Sequence, residues 1–175
     1  ISFNLQGIDS YNSSVVASVS GDGTPALNNS ITTGALIEEA VLSHLDNFLD
    51  QIQTYFDEMF ELGRTAKFHI HVWDSSPVDM EEMYTYDGEE LELNEIMDDW
   101  FADNAVAGRY DIEDGSETFM TVSARIPLFD ERDRAMDANR YARKITKFLK
   151  GEPFGLTIKR VPQGLGETWL FIGEK

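Results

Sequence analysis

The sequence contains no cysteine. Disulfide bridges, zinc–thiolate centres and cysteine nucleophiles are therefore excluded, because each of them needs a thiol. It also lacks any apolar run near the roughly 20 residues that a helix needs to cross a bilayer. We expect no direct membrane insertion of this segment.

Basic residues are scarce, since 14 Lys and Arg stand against 32 Asp and Glu. The resulting net charge of −18 argues against nucleic acid as a partner, because a polyanion would be repelled by the chain as a whole. The charge is also uneven. Residues 1–108 carry a net −19, with Arg64 and Lys67 as their sole basic residues, whereas residues 109–175 carry a net +1. This asymmetry indicates two units with different surroundings.

The first unit is predicted over residues 1–63. Alternating residues in 1–8 and 11–20 predict a strand pair joined by a polar turn, and Gly21 to Pro25 predicts a break after it. Apolar residues recur at three- and four-residue steps from Ala35 to Leu62, which predicts one long amphipathic helix. The chain begins at Ile1, inside a strand pattern and without a methionine, so we expect an upstream part.

The second unit is predicted over residues 64–175. Its first strand runs from Ala66 to Trp73, with Phe68, Ile70 and Val72 on one face and His69, His71 and Trp73 on the other. A loop that contains Asp87-Gly88 is expected next. The remaining predicted elements are a helix around 93–105, a hairpin of 109–113 and 118–126 that turns at Asp114-Gly115, a helix over 138–150, and strands over 156–161 and 168–172.

This order of elements, strand, helix, strand, strand, helix, strand, is that of a ferredoxin-like split βαβ unit, here with an extra final strand. The fold class is therefore predicted as α/β (α+β).

The pair His69 and His71 is the one pattern with possible metal chemistry. Residues two apart on a strand project to the same side, and Asp74 follows near the strand end. A metal site needs three or four ligands, and paired histidines on a solvent-facing strand need no metal. A metal-dependent enzyme centred on His69, His71 and Asp74 is thus an alternative hypothesis. We predict no catalytic residue, and no glycine-rich stretch matches a cofactor-binding fingerprint, so no cofactor is expected.

The predicted helix over residues 138–150 has a basic face, formed by Arg140, Arg143, Lys144 and Lys147. One interpretation is that these cations form ion pairs with the acidic face of the helix around 93–105. The other is that they form a docking patch for an acidic partner surface, either on another protein or on the first unit of a second copy. Both interpretations stay open at this point, and self-assembly of the chain is a further hypothesis.

A family resemblance rests on five stretches of the chain: Ser2 to Tyr11, Leu36 to Phe48, Ala107 to Arg109, Arg125 to Leu128, and Ile172 to Lys175. In these stretches the chain resembles uncharacterised secreted proteins of Bacteroidetes, in which this segment looks like the C-terminal part of a longer protein made with a signal peptide. This resemblance implies a periplasmic or outer-envelope location.

The order strand, polar turn, strand, glycine-rich break and long helix is similar, at a greater distance, to the last part of envelope proteins related to the TolB N-terminal domain and to CsgG. That resemblance implies that residues 1–63 complete a TolB-like α/β domain. Together these expectations describe a protein of unknown function that acts as a non-catalytic interaction module of the envelope, with a protein partner or self-association.

Overall fold

The computed structural model describes residues 2–22 and 32–173 of the chain. Contacts within the chain divide it into two compact units, Ile1–Glu61 and Leu62–Lys175. Helices and strands are both present, so the protein belongs to the α+β class that the sequence predicts.

The first unit is a hairpin with one long helix. Strands β1 (Ser2–Ile8) and β2 (Val15–Asp22) pair antiparallel, and helix α1 (Thr33–Leu62) follows. The polar turn between the strands is stabilised by Asp9, whose side chain accepts a hydrogen bond from the amide of Tyr11 at 2.8 Å. Gly21 and Asp22 still belong to β2, so the predicted break does not begin at Gly21; its remaining residues lie outside the described ranges.

Helix α1 packs one face on this hairpin. The Tyr55 hydroxyl donates to the Asp9 carboxylate at 2.6 Å, and the Gln51 side-chain oxygen accepts from the amide of Ser18 at 3.0 Å. At the other end the hydroxyl of Thr32 accepts a hydrogen bond from the amide of Ala35 at 3.3 Å and so caps the start of the helix. The long helix predicted over residues 35–62 is confirmed.

The second unit is built on a five-stranded sheet with the order β6-β7-β3-β9-β8 and a separate hairpin of β4 and β5. In chain order its elements are β3 (Arg64–Val72), β4 (Met83–Tyr86), β5 (Glu89–Glu92), α2 (Leu93–Asn104), β6 (Tyr110–Ser116), β7 (Phe119–Ile126), α3 (Ala138–Lys150), β8 (Ile158–Gln163) and β9 (Glu167–Ile172).

The last strand occupies an interior position in this sheet. Strand β9 pairs parallel with β3 on one side and antiparallel with β8 on the other. In a ferredoxin-like unit the fourth strand would lie directly beside the first. Here the extra strand β9 lies between β3 and β8. The order of elements along the chain therefore follows the split βαβ pattern, but the strand that pairs with β3 at this position differs from that pattern.

The core of the second unit lies between one face of the sheet and both helices. Ala66, Phe68 and Ile70 of β3 are buried, as the alternation of this strand predicts. The ring of Phe68 lies 5.8 Å from that of Phe101 in α2 and 5.4 Å from that of Tyr141 in α3, measured between centroids. Both helices therefore cover the same face of the sheet.

Two turns differ from the prediction. Residues 83–92 form a hairpin where a loop was expected, and its turn residues Asp87 and Gly88 have φ angles of 49° and 88°. Asp-Gly is a preferred sequence for such a type I′ turn. The prediction that the next hairpin turns at Asp114-Gly115 is wrong. These residues lie within β6 beside a bulge, and Ser116 pairs with Phe119 across the actual turn.

Gly63 joins α1 to β3 with a φ of +70°, in the left-handed region that glycine adopts without a steric penalty. A Cβ atom there would lie 2.3 Å from the carbonyl oxygen of Ile126. Gly164 has nearly the same φ, +73°, but a Cβ atom would meet nothing within 4 Å. Alanine at Gly164 would therefore cause backbone strain alone, whereas alanine at Gly63 would add a steric overlap.

We expect Gly164→Ala to lower the free energy of unfolding by about 1–2 kcal/mol, the cost of a left-handed alanine. Gly63→Ala should cost about 1–3 kcal/mol more, because the neighbouring strand must shift away from the new methyl group. Urea denaturation of both variants measures the difference. Equal losses would contradict the close packing of Gly63 against Ile126.

Candidate functional site

The face of the sheet opposite the helices carries polar and aromatic side chains. Lys67, His69 and His71 alternate with the buried residues of β3 and are half-buried. The prediction that His69 and His71 share the face away from the core is confirmed. We call this surface the open face.

His69 has a partner at each ring nitrogen. Its Nδ1 lies 3.3 Å from the Thr121 hydroxyl, and its Nε2 lies 3.1 Å from a carboxylate oxygen of Glu167. The same oxygen accepts a hydrogen bond from the indole of Trp169 at 2.8 Å. The imidazole of His69 is therefore held in one orientation by residues on both neighbouring strands.

His71 lies among aromatic rings. Its imidazole stacks on Trp169 at 5.0 Å, on Phe171 at 5.8 Å and on Phe119 at 5.9 Å, measured between ring centroids. Burial against these rings lowers the pKa of His71, and the nearby His69 lowers it further. Desolvation disfavours the charged imidazolium, so neutral His71 is the form that fits this cluster.

Asp74 does not join the two histidines in a site. It is exposed and lies two residues beyond the end of β3. Within residues 2–22 and 32–173, no three His, Asp or Glu side chains are placed to hold a metal ion together. The metal-centred hypothesis therefore depends on two imidazoles that the fold already engages in hydrogen bonding and stacking.

The open face also has a cluster of charged and polar side chains that the sequence analysis did not predict. The ammonium group of Lys67 donates to Glu113 at 2.8 Å, and the Ser123 hydroxyl donates to the other oxygen of the same carboxylate. These hydrogen bonds hold the pKa of Glu113 below its usual range, and that from Lys67 is the larger cause. The predicted turn at Asp114-Gly115 would have put Glu113 at a hairpin end, so the correct register was needed to find this cluster.

Helix α3 presents the predicted basic face to solvent. Arg143, Lys144 and Lys147 are exposed, whereas Arg140 is half-buried and donates to the carbonyl oxygen of Ala135 at 2.8 Å. The Lys144 ammonium lies 5.7 Å from the centroid of the Tyr141 ring.

The cations of α3 are not neutralised by the acids of α2. In the part of the chain that the structure describes, the ion pairs within 4 Å are Lys67–Glu113, His69–Glu167 and Arg134–Asp130, and none involves α3. Arg143 instead lies near Arg160 of β8. Burial and, next, the positive charge of Arg143 lower the pKa of Arg160. The pairing of α2 with α3 that the sequence left open is thus not formed there.

Lowering the pH should destabilise the protein through His71. Because its folded-state pKa lies below the ordinary value of 6.5, the unfolded chain takes up a proton more readily than the folded chain. The stabilisation that neutral His71 contributes to the folded state is present above pH 6.5 and is lost as the pH falls through the folded-state pKa. We expect His71→Phe, which keeps a stacked ring, to have a shallower decline than wild type when unfolding free energies are measured from pH 7.5 to 5. Identical slopes would contradict this burial.

Among the described residues no helix is both long and apolar enough to cross a membrane.

Comparison with known proteins finds no match among curated proteins and none among solved structures. A family model does match residues 64–173, which comprise all strands and helices of the second unit, and its description is a domain of unknown function, DUF6175. Because this match spans more than half of the chain, the protein belongs to the DUF6175 family.

Proposed function

We propose that this protein is a non-catalytic interaction module, and that it docks an acidic protein surface on the basic face of α3, formed by Arg140, Arg143, Lys144 and Lys147. The observation that carries the proposal is that these cations lie on one helix face without carboxylate partners in the described ranges, in a chain with a net charge of −18. Exposed charges cost little to keep in water, so their presence alone decides nothing. Their concentration on one side of an acidic protein supports a role in docking.

The acidic remainder of the chain favours a compact partner over a long polyanion. At physiological ionic strength, charges interact over about 8 Å. A protein with a local acidic patch can contact α3 while its other surfaces stay beyond this range. A nucleic acid strand would continue past the helix and meet acidic surface. Repulsion between the acidic partner and the other, acidic surfaces of the chain would also orient the partner on α3, since electrostatic complementarity contributes to specificity and association rate.

Two alternatives compete with this proposal. A metal-dependent enzyme would use His69, His71 and Asp74, and stoichiometric zinc or manganese that is lost in His71→Ala would favour it. A self-assembling component would place α3 of one copy on the first unit of another, since residues 1–61 contain nine acids and no Lys or Arg. A mass that falls as salt is added would favour self-assembly.

We further propose a periplasmic or outer-envelope setting, which the resemblance to secreted Bacteroidetes proteins supports. Fractionation of cells that express the natural gene tests this location. Recovery in the cytoplasmic fraction would contradict it.

The docking surface is tested by neutralising it. We expect the variant Arg143→Gln, Lys144→Gln, Lys147→Gln to recover about tenfold less of its partner than wild type when both capture proteins from an envelope extract at equal bait concentration. Three exposed charge contacts of about 0.5 kcal/mol each give this loss. Quantitative mass spectrometry of the captured proteins is the measurement.

A matched control carries the same change in net charge elsewhere. Ser75, Thr157 and Gln163 are exposed in the second unit. Their replacement by Glu also lowers the net charge by three but leaves α3 intact, so this control should recover the partner as wild type does. If both variants lose the partner equally, overall charge and not α3 governs capture. If neither loses it, the docking proposal is wrong.

A further inference from the structure

A cleft lies between α3 and the loop that connects β7 to this helix. Its volume is about 320 Å³, and it is lined by charged side chains: Asp130, Glu131, Arg132 and Arg134 of the loop, and Lys144 of α3. Most ligand sites in proteins are lined mainly by apolar groups. A concave surface of charged groups instead suits a charged ligand. We call this surface the loop cleft.

The loop is braced by Asp130. Its carboxylate accepts hydrogen bonds from the backbone amides of Arg132 and Arg134 at 2.9 and 3.0 Å, and from Nε of Arg134 at 2.8 Å. Nη2 of Arg134 also lies 2.6 Å from this carboxylate. Phe129 and Ala135 pair across the base of the loop. The backbone that carries both arginines is therefore ordered before a ligand binds, which lowers the entropic cost of binding.

Two cations of the loop cleft have no such brace. In the described ranges neither Arg132 nor Lys144 has a carboxylate within 4 Å, and both side chains are exposed. Arg134 is paired with Asp130, and Glu131 is an exposed acid at the same cleft. The lining side chains thus carry three positive and two negative charges, which give the cleft a net charge of +1.

This net charge favours a monoanion as the ligand. A carboxylate would balance it, whereas a phosphate group, with a charge of about −1.5 to −2 at pH 7, would leave the cleft negative in a chain whose own net charge is −18. A carboxylate also matches the planar guanidinium of arginine, which can donate two parallel hydrogen bonds to its two oxygens.

We propose that the loop cleft binds one carboxylate of the acidic partner, between Arg132 of the loop and Lys144 of α3. This inference rests on the proposed docking function and deepens it, because it adds an anchor point for the partner beside the helix. The carboxylate belongs either to an Asp or Glu side chain or to the C-terminus of the partner, and the two sources share the chemistry that the cleft recognises.

Fluorescent peptides test the loop cleft on the full chain. One twelve-residue peptide has three Glu among Gly and Ser and an amidated C-terminus; a second has Gln in place of Glu and a free C-terminal carboxylate. We expect at least one of them to bind in fluorescence anisotropy, which identifies the source. Arg132→Gln should weaken that binding about tenfold, as the loss of a hydrogen bond to a charged group does. Binding of neither peptide would overturn the proposal.

A third peptide tests the choice of a carboxylate over a phosphate group. It carries phosphoserine in place of one Glu of the first peptide and should bind no tighter than that peptide does. Tighter binding would overturn the assignment of a carboxylate ligand.

Two further variants separate the loop cleft from general attraction. Arg109→Gln removes the same charge from an exposed position outside the cleft and should bind the peptide as wild type does. Equal losses in Arg132→Gln and Arg109→Gln would contradict a site at the cleft. If Arg143→Gln weakens binding and Arg132→Gln does not, docking on α3 stands and the cleft proposal is wrong. Unchanged binding in both would contradict the two proposals together.

Discussion

The alternation of side chains along β3 is the constraint on which the second unit depends. This central strand buries Phe68 and Ile70 against both helices, and the pleat then forces His69 and His71 to the opposite face. A shift of one residue in register would exchange the two sets and place imidazoles in the core. The strong apolar preference of one face therefore explains why two histidines and their aromatic neighbours meet on the other.

The same reasoning accounts for the basic surface of α3. Tyr141, Ile145 and Leu149 must face the sheet, so the cations between them in sequence must face solvent. Both edge strands of the sheet are poorly suited to pairing with another chain. Strand β6 has a bulge and exposed acids, and β8 contains Pro162. Recognition through helix faces is consistent with these protected edges.

Helical periodicity predicted α1, α2 and α3 from the sequence because each helix has apolar residues recurring along one face; these are buried in α2 and α3 and mostly half-buried in α1. Local turn chemistry was less informative. Asp87-Gly88 does turn a hairpin, whereas Asp114-Gly115 lies within a strand, because the bulge in β6 allows the pair to stay in the ladder. The insertion of β9 beside β3 depends on contacts between distant residues, and local patterns do not encode it. The predicted turn at Asp114-Gly115 set the wrong register for β6, so the cluster of Lys67 with Glu113 was found in the structure alone.

We propose that the basic face of α3 contacts an acidic protein surface. Zero-length carbodiimide cross-linking in intact cells tests it directly, since this reagent joins only amines and carboxylates that already touch. We expect cross-links from Lys144 and Lys147 to carboxylates of one recurring partner protein. Cross-links spread over all exposed lysines, or confined to carboxylates of the same chain, would contradict it.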